Sequence, residues 1–198
     1  METEQNEQQF RDGIPFLGGS MWIDLLNSTL SPDGITRVDF LDSDTAFAQW
    51  SRHAGLEVNS DLAKEHRATA ELRDILRLAF DRLAKGAPIQ KSLVAQINAI
   101  LAKAPFVKVI EQDRDQTQYH LREVLADEPR GITSQIASDF AFFLTDHERE
   151  RLKHCANPAC TMVFYDRGKN NRRRWCSSAV CGNRDKVANY RKRKAGLA

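Results

Sequence analysis

A mainly α-helical N-terminal domain with a small β-hairpin, joined to a small four-cysteine module, is the architecture this 198-residue sequence predicts. Three observations carry it. Apolar residues recur at helical spacing through most of the first 150 residues. All four cysteines fall between Cys155 and Cys181. The charge divides at the same place: residues 1–150 hold 16 Lys and Arg against 25 Asp and Glu, net −9, whereas residues 151–198 hold 13 against 2, net +11. The chain is therefore divided into domains 1–150 and 151–198.

In chain order, Met21–Leu26 lies between Gly18-Gly19 and the turn Ser31-Pro32-Asp33-Gly34. It reads as a strand or a short helix, because so short an apolar run shows no period. Ser43–Ala54 predicts a helix: Phe47, Trp50 and Ala54 share a face, Ser43 caps the start and Gly55 stops it. Ser60–Lys85 is the strongest helix, with Leu62, His66, Ala70, Leu76, Ala79 and Leu83 on its inward face and Gly86 and Pro88 ending it. Gln90–Lys103 follows, with Leu93, Ile97, Ile100 and Leu101 inward and Pro105 closing it. Phe106–Ile110 and Thr117–Val124 alternate around a polar link, Gln112-Asp113-Arg114-Asp115, and read as a hairpin. Gly131–His147 is a helix with Ile132, Ile136, Phe140 and Phe143 on one side, expected to run on through Arg149-Glu150-Arg151.

Several function classes find no support in the residues. There is no nucleotide-binding glycine loop, no helical zinc-protease motif and no nucleophile elbow, so no enzymatic reaction is expected. The five histidines are scattered, and His66 is expected to be packed and hydrogen-bonded rather than catalytic. No apolar run is long enough to span a bilayer. The acidic, Gln-rich start lacks the pattern of a secretory signal, so a cytoplasmic location is expected.

The cysteines are spaced C-x4-C-x15-C-x4-C. Two close thiolate pairs joined by a loop suit a tetrahedral soft-ligand metal, with zinc favoured over an iron–sulfur centre, a redox-active thiol pair or plain buried cysteines. Cys155, Cys160, Cys176 and Cys181 are the candidate ligands of one structural Zn²⁺, since four thiolates leave no open position. His154 is the alternative ligand beside them. Asn157-Pro158-Ala159 is turn chemistry inside the first pair. Phe164 and Trp175 are read as packing around the metal, and Tyr165 as structural or base-stacking. Loss of one cysteine is expected to unfold this module and leave residues 1–150 folded.

Two basic clusters flank the second pair: Lys169, Arg172, Arg173 and Arg174 before it, and Arg184, Lys186, Arg191, Lys192, Arg193 and Lys194 after it. The second cluster reads as a helix with Asn183 as N-cap and Val187 and Tyr190 facing the module's core, a treble-clef-like arrangement. Two or three cations would neutralise a four-thiolate zinc; a net +11 exceeds that need and points to a polyanion. Double-stranded DNA is the favoured partner, with Arg184, Asn189 and Arg191 as candidate base readers. RNA and an acidic protein surface, including the chain's own N-terminal domain, are the alternatives.

These same residues carry a family resemblance. Cys155 and Cys160, Phe164-Tyr165-Asp166, Arg173-Arg174-Trp175-Cys176 and Cys181-Gly182-Asn183-Arg184, with Tyr190 and Arg193, resemble the bacterial CGNR zinc finger. Gly18-Gly19, Asp24-Leu25-Leu26-Asn27-Ser28-Thr29, Leu72-Arg73 and Ile97-Asn98 resemble the ABATE domain that usually precedes it. The resemblance implies zinc and a role in transcription regulation under stress, with the N-terminal domain sensing a signal or forming a homodimer. It also singles out Asn27, Arg73 and Asn98, as a site for an anionic small-molecule effector or, for Arg73, as a tie to Asp24, Glu71 or a neighbouring strand.

Overall fold

The computed structural model describes residues 9–31, 34–58, 61–103, 106–112, 119–125 and 131–195. Met21–Leu26 is a helix, α1. It lacks a period because Trp22, Ile23, Leu25 and Leu26 are all buried. Its start is capped from afar: Trp22 N donates to Asp139 Oδ2 at 2.9 Å. Two short antiparallel pairs flank it, β1 (Phe10–Arg11) with β2 (Ile14–Pro15), and β3 (Thr29–Leu30) with β4 (Val38–Asp39).

The predicted helices form, with small shifts. Helix α2 (Asp44–His53) is capped by Ser43, whose Oγ accepts from Ala46 N, and the chain turns at Gly55, as predicted. Helix α3 (Leu62–Leu83) is capped by Asp61. Its buried face is Thr69, Leu72, Arg73, Leu76, Ala79, Phe80 and Leu83, whereas Leu62, His66 and Ala70 are only half-buried. The predicted stripe is thus rotated at its start, because a threonine and an arginine hold interior positions. His66 is packed and bonded as expected: its ring stacks on Phe47, and its nitrogens meet Asp44 and the Leu41 carbonyl. Helix α4 (Lys91–Leu101) buries Leu93 and Ile97. Strands β5 (Phe106–Gln112) and β6 (Tyr119–Leu125) pair in register from Phe106↔Leu125 to Gln112↔Tyr119. Asp113-Arg114-Asp115 of their predicted link and Thr117 and Gln118 of the predicted second strand lie outside the described residues, as do Pro32-Asp33 of the first turn and Ser60.

Helix α5 (Ile132–Asp146) buries Ile132, Ile136, Phe140 and Phe143. It does not continue to Arg151. His147 turns to extended backbone (φ −122, ψ 148), its ring stacked on Phe143 and set edge-on to Tyr165. A single 3₁₀ turn, Arg149–Arg151, then leads into β7 (Leu152–His154), antiparallel to β8 (Val163–Tyr165). The main core centres on Trp22, ringed by Phe140 at 5.0 Å, Phe143 at 5.1 Å and Phe80 at 6.0 Å.

That core crosses the charge divide. Leu152, Val163 and Tyr165 pack into it, while Phe164, between the last two, enters a second core with Leu17, Met162, Cys155, Cys176 and Cys181. Alternate residues of a strand face opposite sides, so β8 is the partition between the two cores. Its free edge is sealed by side chain and loop. Asn27, fully buried, donates from Nδ2 to Val163 O at 2.9 Å and accepts Val163 N–H at Oδ1 at 3.0 Å. Tyr165 N donates to Gly18 O at 2.8 Å. Gly18 must be glycine here, since a Cβ would meet Ile23 Cγ2 at 2.6 Å, and Gly19 follows at φ +89.

Asp24 holds this loop by accepting Gly18 N–H at 2.7 Å. Burial, with repulsion from Asp139 adding to it, pushes the Asp24 carboxyl up to about 7. A raised folded-state value means its contribution to stability is full below about pH 4 and is lost as the pH rises through 7. Asp24→Asn keeps the acceptor and removes the buried charge. Urea unfolding is therefore expected to show the variant more stable than the parent at pH 8 by roughly 2–4 kcal/mol, and equal to it near pH 4. An equal difference at both values would mean that the carboxyl does not titrate in this range.

Candidate zinc centre and basic surface

Each cysteine is placed by local chemistry. Cys155 follows β7 and donates its N–H to Met162 O. The Asn157 side chain accepts Ala159 N–H at 3.1 Å, making the tight turn that returns Cys160 to the first cysteine. Cys176 follows Trp175 and donates its N–H towards Cys155 Sγ at 3.5 Å. Cys181 sits in a π-helical turn, Ser178–Gly182, capped by Ser177 Oγ. The capping residue is thus Ser177. Asn183, predicted as the N-cap, is already helical and donates its Nδ2 to Ala179 O.

The four Sγ atoms lie within 4.8 Å of one another, with Cys160–Cys176 at 3.8 Å and Cys176–Cys181 at 3.6 Å. Zinc–thiolate bonds of about 2.3 Å in a tetrahedron place sulfurs about 3.8 Å apart. The thiols also show why a cation is needed. Donation from Cys160 and Cys176 pulls the Cys155 thiol below its usual range, and the same sharing pushes the Cys160 and Cys176 thiols up. A divalent ion removes that conflict and lets all four ionise. The cluster is the site of one structural zinc ion. His154 stays out of it, edge-on to Phe80 and 3.8 Å from Asp81.

The loop between the cysteine pairs is built on a buried ion pair that sequence reading did not single out. Asp166, 1% exposed, accepts from Lys153 Nζ at 2.8 Å, Gly168 N at 2.9 Å and Arg173 N at 2.7 Å. Lys153 Nζ also donates to the carbonyls of Asn171 and Arg173. Burial opposes the Asp166 charge, but Lys153 and the two N–H groups outweigh it and hold the carboxyl below its ordinary value. The sequence signal is an acid in a basic stretch, within the Phe164-Tyr165-Asp166 motif, with nothing to name Lys153 as its partner.

This loop divides the predicted nucleic-acid residues. Lys169, Arg172 and Arg174 are exposed, Arg174 lying over the Trp175 ring at 4.9 Å. Arg173 turns inward instead. Its guanidinium lies 4.2 Å over Phe164 and donates to the carbonyls of Leu17, Trp175 and Cys176. It spans the two halves of the chain and braces the metal loop.

The last helix, α6 (Asn183–Lys194), has no buried residue. Val187 at 48% and Tyr190 at 60% exposure do not face the finger core, contrary to expectation. Leu17, Met162, Phe164 and Trp175 already fill that core. Arg184, Lys186, Arg191, Lys192, Arg193 and Lys194 are all exposed on this helix, and Asn189 is bonded to Asp185.

The proposed effector residues do not converge. Asn27 is used by Val163. Arg73 forms a bidentate pair with Asp39, at 2.7 and 2.9 Å, and donates to Ser28 Oγ. Its partner is thus Asp39 of β4 rather than Asp24 or Glu71. Burial opposes the Asp39 charge, and Arg73 more than offsets it, holding that carboxyl below its ordinary value. Asn98 is exposed on α4.

Comparison with known families matches this geometry. Residues 151–194 match the CGNR zinc finger, and residues 19–147 match ABATE, described as "Putative stress-induced transcription regulator". No curated protein matches the chain. Among the described residues, no helix is long and apolar enough to cross a membrane.

Proposed function

We propose, since this chain belongs to the ABATE family and ends in a CGNR zinc finger, that it is a non-enzymatic, DNA-binding regulator of transcription. Helix α6 carries this reading. It is a helix of 12 residues with no buried side chain and four cations in its last turn. A mostly polar helix that buries no side chain has no internal packing to hold it and is suited to an external polar surface. At about 18 Å long and roughly 10–12 Å wide, it fits a DNA major groove. The zinc centre anchors its start through Cys181, and the ABATE domain serves as the sensing or dimerising unit.

Two other readings lose ground on specific residues. Base stacking on single-stranded RNA would use Tyr165 or Tyr190; Tyr165 is buried in the main core, which leaves Tyr190, exposed on α6, as the one of the two that can stack. Docking of the basic end on the acidic domain would bury part of α6, and none of it is buried. Selection of the zinc-loaded protein against random duplex DNA, with single-stranded RNA as competitor, tests the proposal. A discrete duplex motif is expected. Preference for the RNA pool, or binding to neither, would overturn it.

A further inference from the structure

Beside the joint between the two matched regions lies a cleft of about 460 Å³ that no residue of α6 lines. The end of α5 forms one wall through His147 and Glu148, and the turn after β8 forms the other through Tyr165, Arg167 and Lys169. Arg151 rises between them, bonded through Nε to Glu148 at 2.8 Å and through Nη1 to Gly168 O at 2.7 Å. Glu148 therefore offsets Arg151 and leaves Arg167, whose charge also acts on the Asp24 and Asp139 carboxyls, and Lys169.

These two are set differently. Arg167 reaches across to donate Nη2 to the Gly19 carbonyl, which fixes its guanidinium between the halves of the chain. Lys169 has no hydrogen-bond or ion-pair partner among the described residues and is exposed at the rim. The backbone between them is pinned at Gly168 by Asp166 and Arg151, so Arg167 is held in place, while the Lys169 ammonium is left to swing onto a ligand. A guanidinium fork beside an ammonium suits a multiply charged oxyanion. The cleft lies within the ordinary size range of small-ligand sites. Glu148, on the same wall, is already paired with Arg151, so the free positive charge is confined to the Arg167–Lys169 side, which suits a compact anion.

We infer that this cleft between the end of α5 and the Arg167–Lys169 turn binds a small phosphate-bearing ligand that bridges the ABATE domain and the zinc finger. The site stands whether or not α6 binds DNA, and it gives the sensing role a location other than Asn27, Arg73 and Asn98.

The test is calorimetric titration of full-length, zinc-loaded protein with pyrophosphate at chloride-matched ionic strength, with zinc content measured before and after. Saturable binding is expected. Lys169→Gln, at an exposed position that packing does not use, should weaken it roughly tenfold, the size of one lost charge-assisted hydrogen bond. Arg167→Gln should do the same. Replacing Arg191, Lys192, Arg193 and Lys194 by Gln should leave it unchanged, which separates this site from the DNA-binding surface. Absence of saturable binding, binding that Lys169→Gln leaves intact, or binding that the α6 replacement abolishes would each overturn the inference. Displacement of pyrophosphate by a short DNA duplex, with Lys169→Gln weakening both, would assign the site to backbone phosphate and overturn the small-ligand part.

Discussion

Removing the zinc, by chelation or by Cys176→Ser, is expected to unfold the whole chain in one transition rather than the finger alone. The sequence predicts the opposite, because all four ligands lie within residues 155–181. The difference comes from β8. Val163 and Tyr165 pack beside the Trp22 cluster, while Phe164 packs with the cysteines. A strand that loses one core cannot keep its register against the other. Leu17, Phe10 and Leu30 would lose their packing with it, and Asn27, fully buried, would lose both Val163 partners. Structural zinc supplies about 10–16 kcal/mol of folding free energy in small fingers. A domain of ordinary stability has about 5–15 kcal/mol in total. Coupling through a shared strand makes the first figure large enough to exhaust the second. The measurement is thermal unfolding by circular dichroism, with fluorescence of Trp22 and Trp50 in a Trp175→Phe background as the probe of the distal core, with and without chelator. Loss of all signals together is the expected result. A retained cooperative transition in the apo protein would show that the main core holds without the finger.

Replacing Arg191, Lys192, Arg193 and Lys194 by Gln is expected to weaken duplex DNA binding by about 10²–10³ at 0.1 M salt. Each phosphate contact contributes about 0.9 to the slope of log K against log salt, so three or four lost contacts should flatten it by roughly 3. Stability should change little, within about 0.5 kcal/mol, because no residue of the helix is buried. That separation distinguishes a binding surface from a structural element. Binding titrations at four or more salt concentrations give the slope directly. An unchanged slope would move the DNA contact to Lys169, Arg172 and Arg174.

What the sequence determined by itself is what local rules encode. Four thiols at short, paired spacing specify their metal by coordination chemistry, wherever the module sits. Ser43 and Gly55 mark helix ends because capping and turning need only a few neighbouring residues. The apolar stripes of α4 and α5 are legible because one packed face repeats at the helical period.

The tertiary structure decided everything that depends on partners far along the chain. Asn27 and Val163 are 136 positions apart, and nothing periodic links them. Arg173 lies in a basic run beside Arg172 and Arg174, and only the nearby carbonyls of Leu17, Trp175 and Cys176 distinguish the inward cation from the outward ones. Lys153 reads as an unremarkable charge, and the motif that includes Asp166 does not say what the acid pairs with, until the loop closes over them. Val187 and Tyr190 looked like a helix's inner face, but an inner face needs an unfilled core opposite, and the cysteine cluster was already filled by side chains that include Leu17 from the other end of the chain. Local pattern fixes which elements form and which metal binds; the competition among distant groups for a limited interior decides which polar side chains brace the fold and which remain outside to meet a partner.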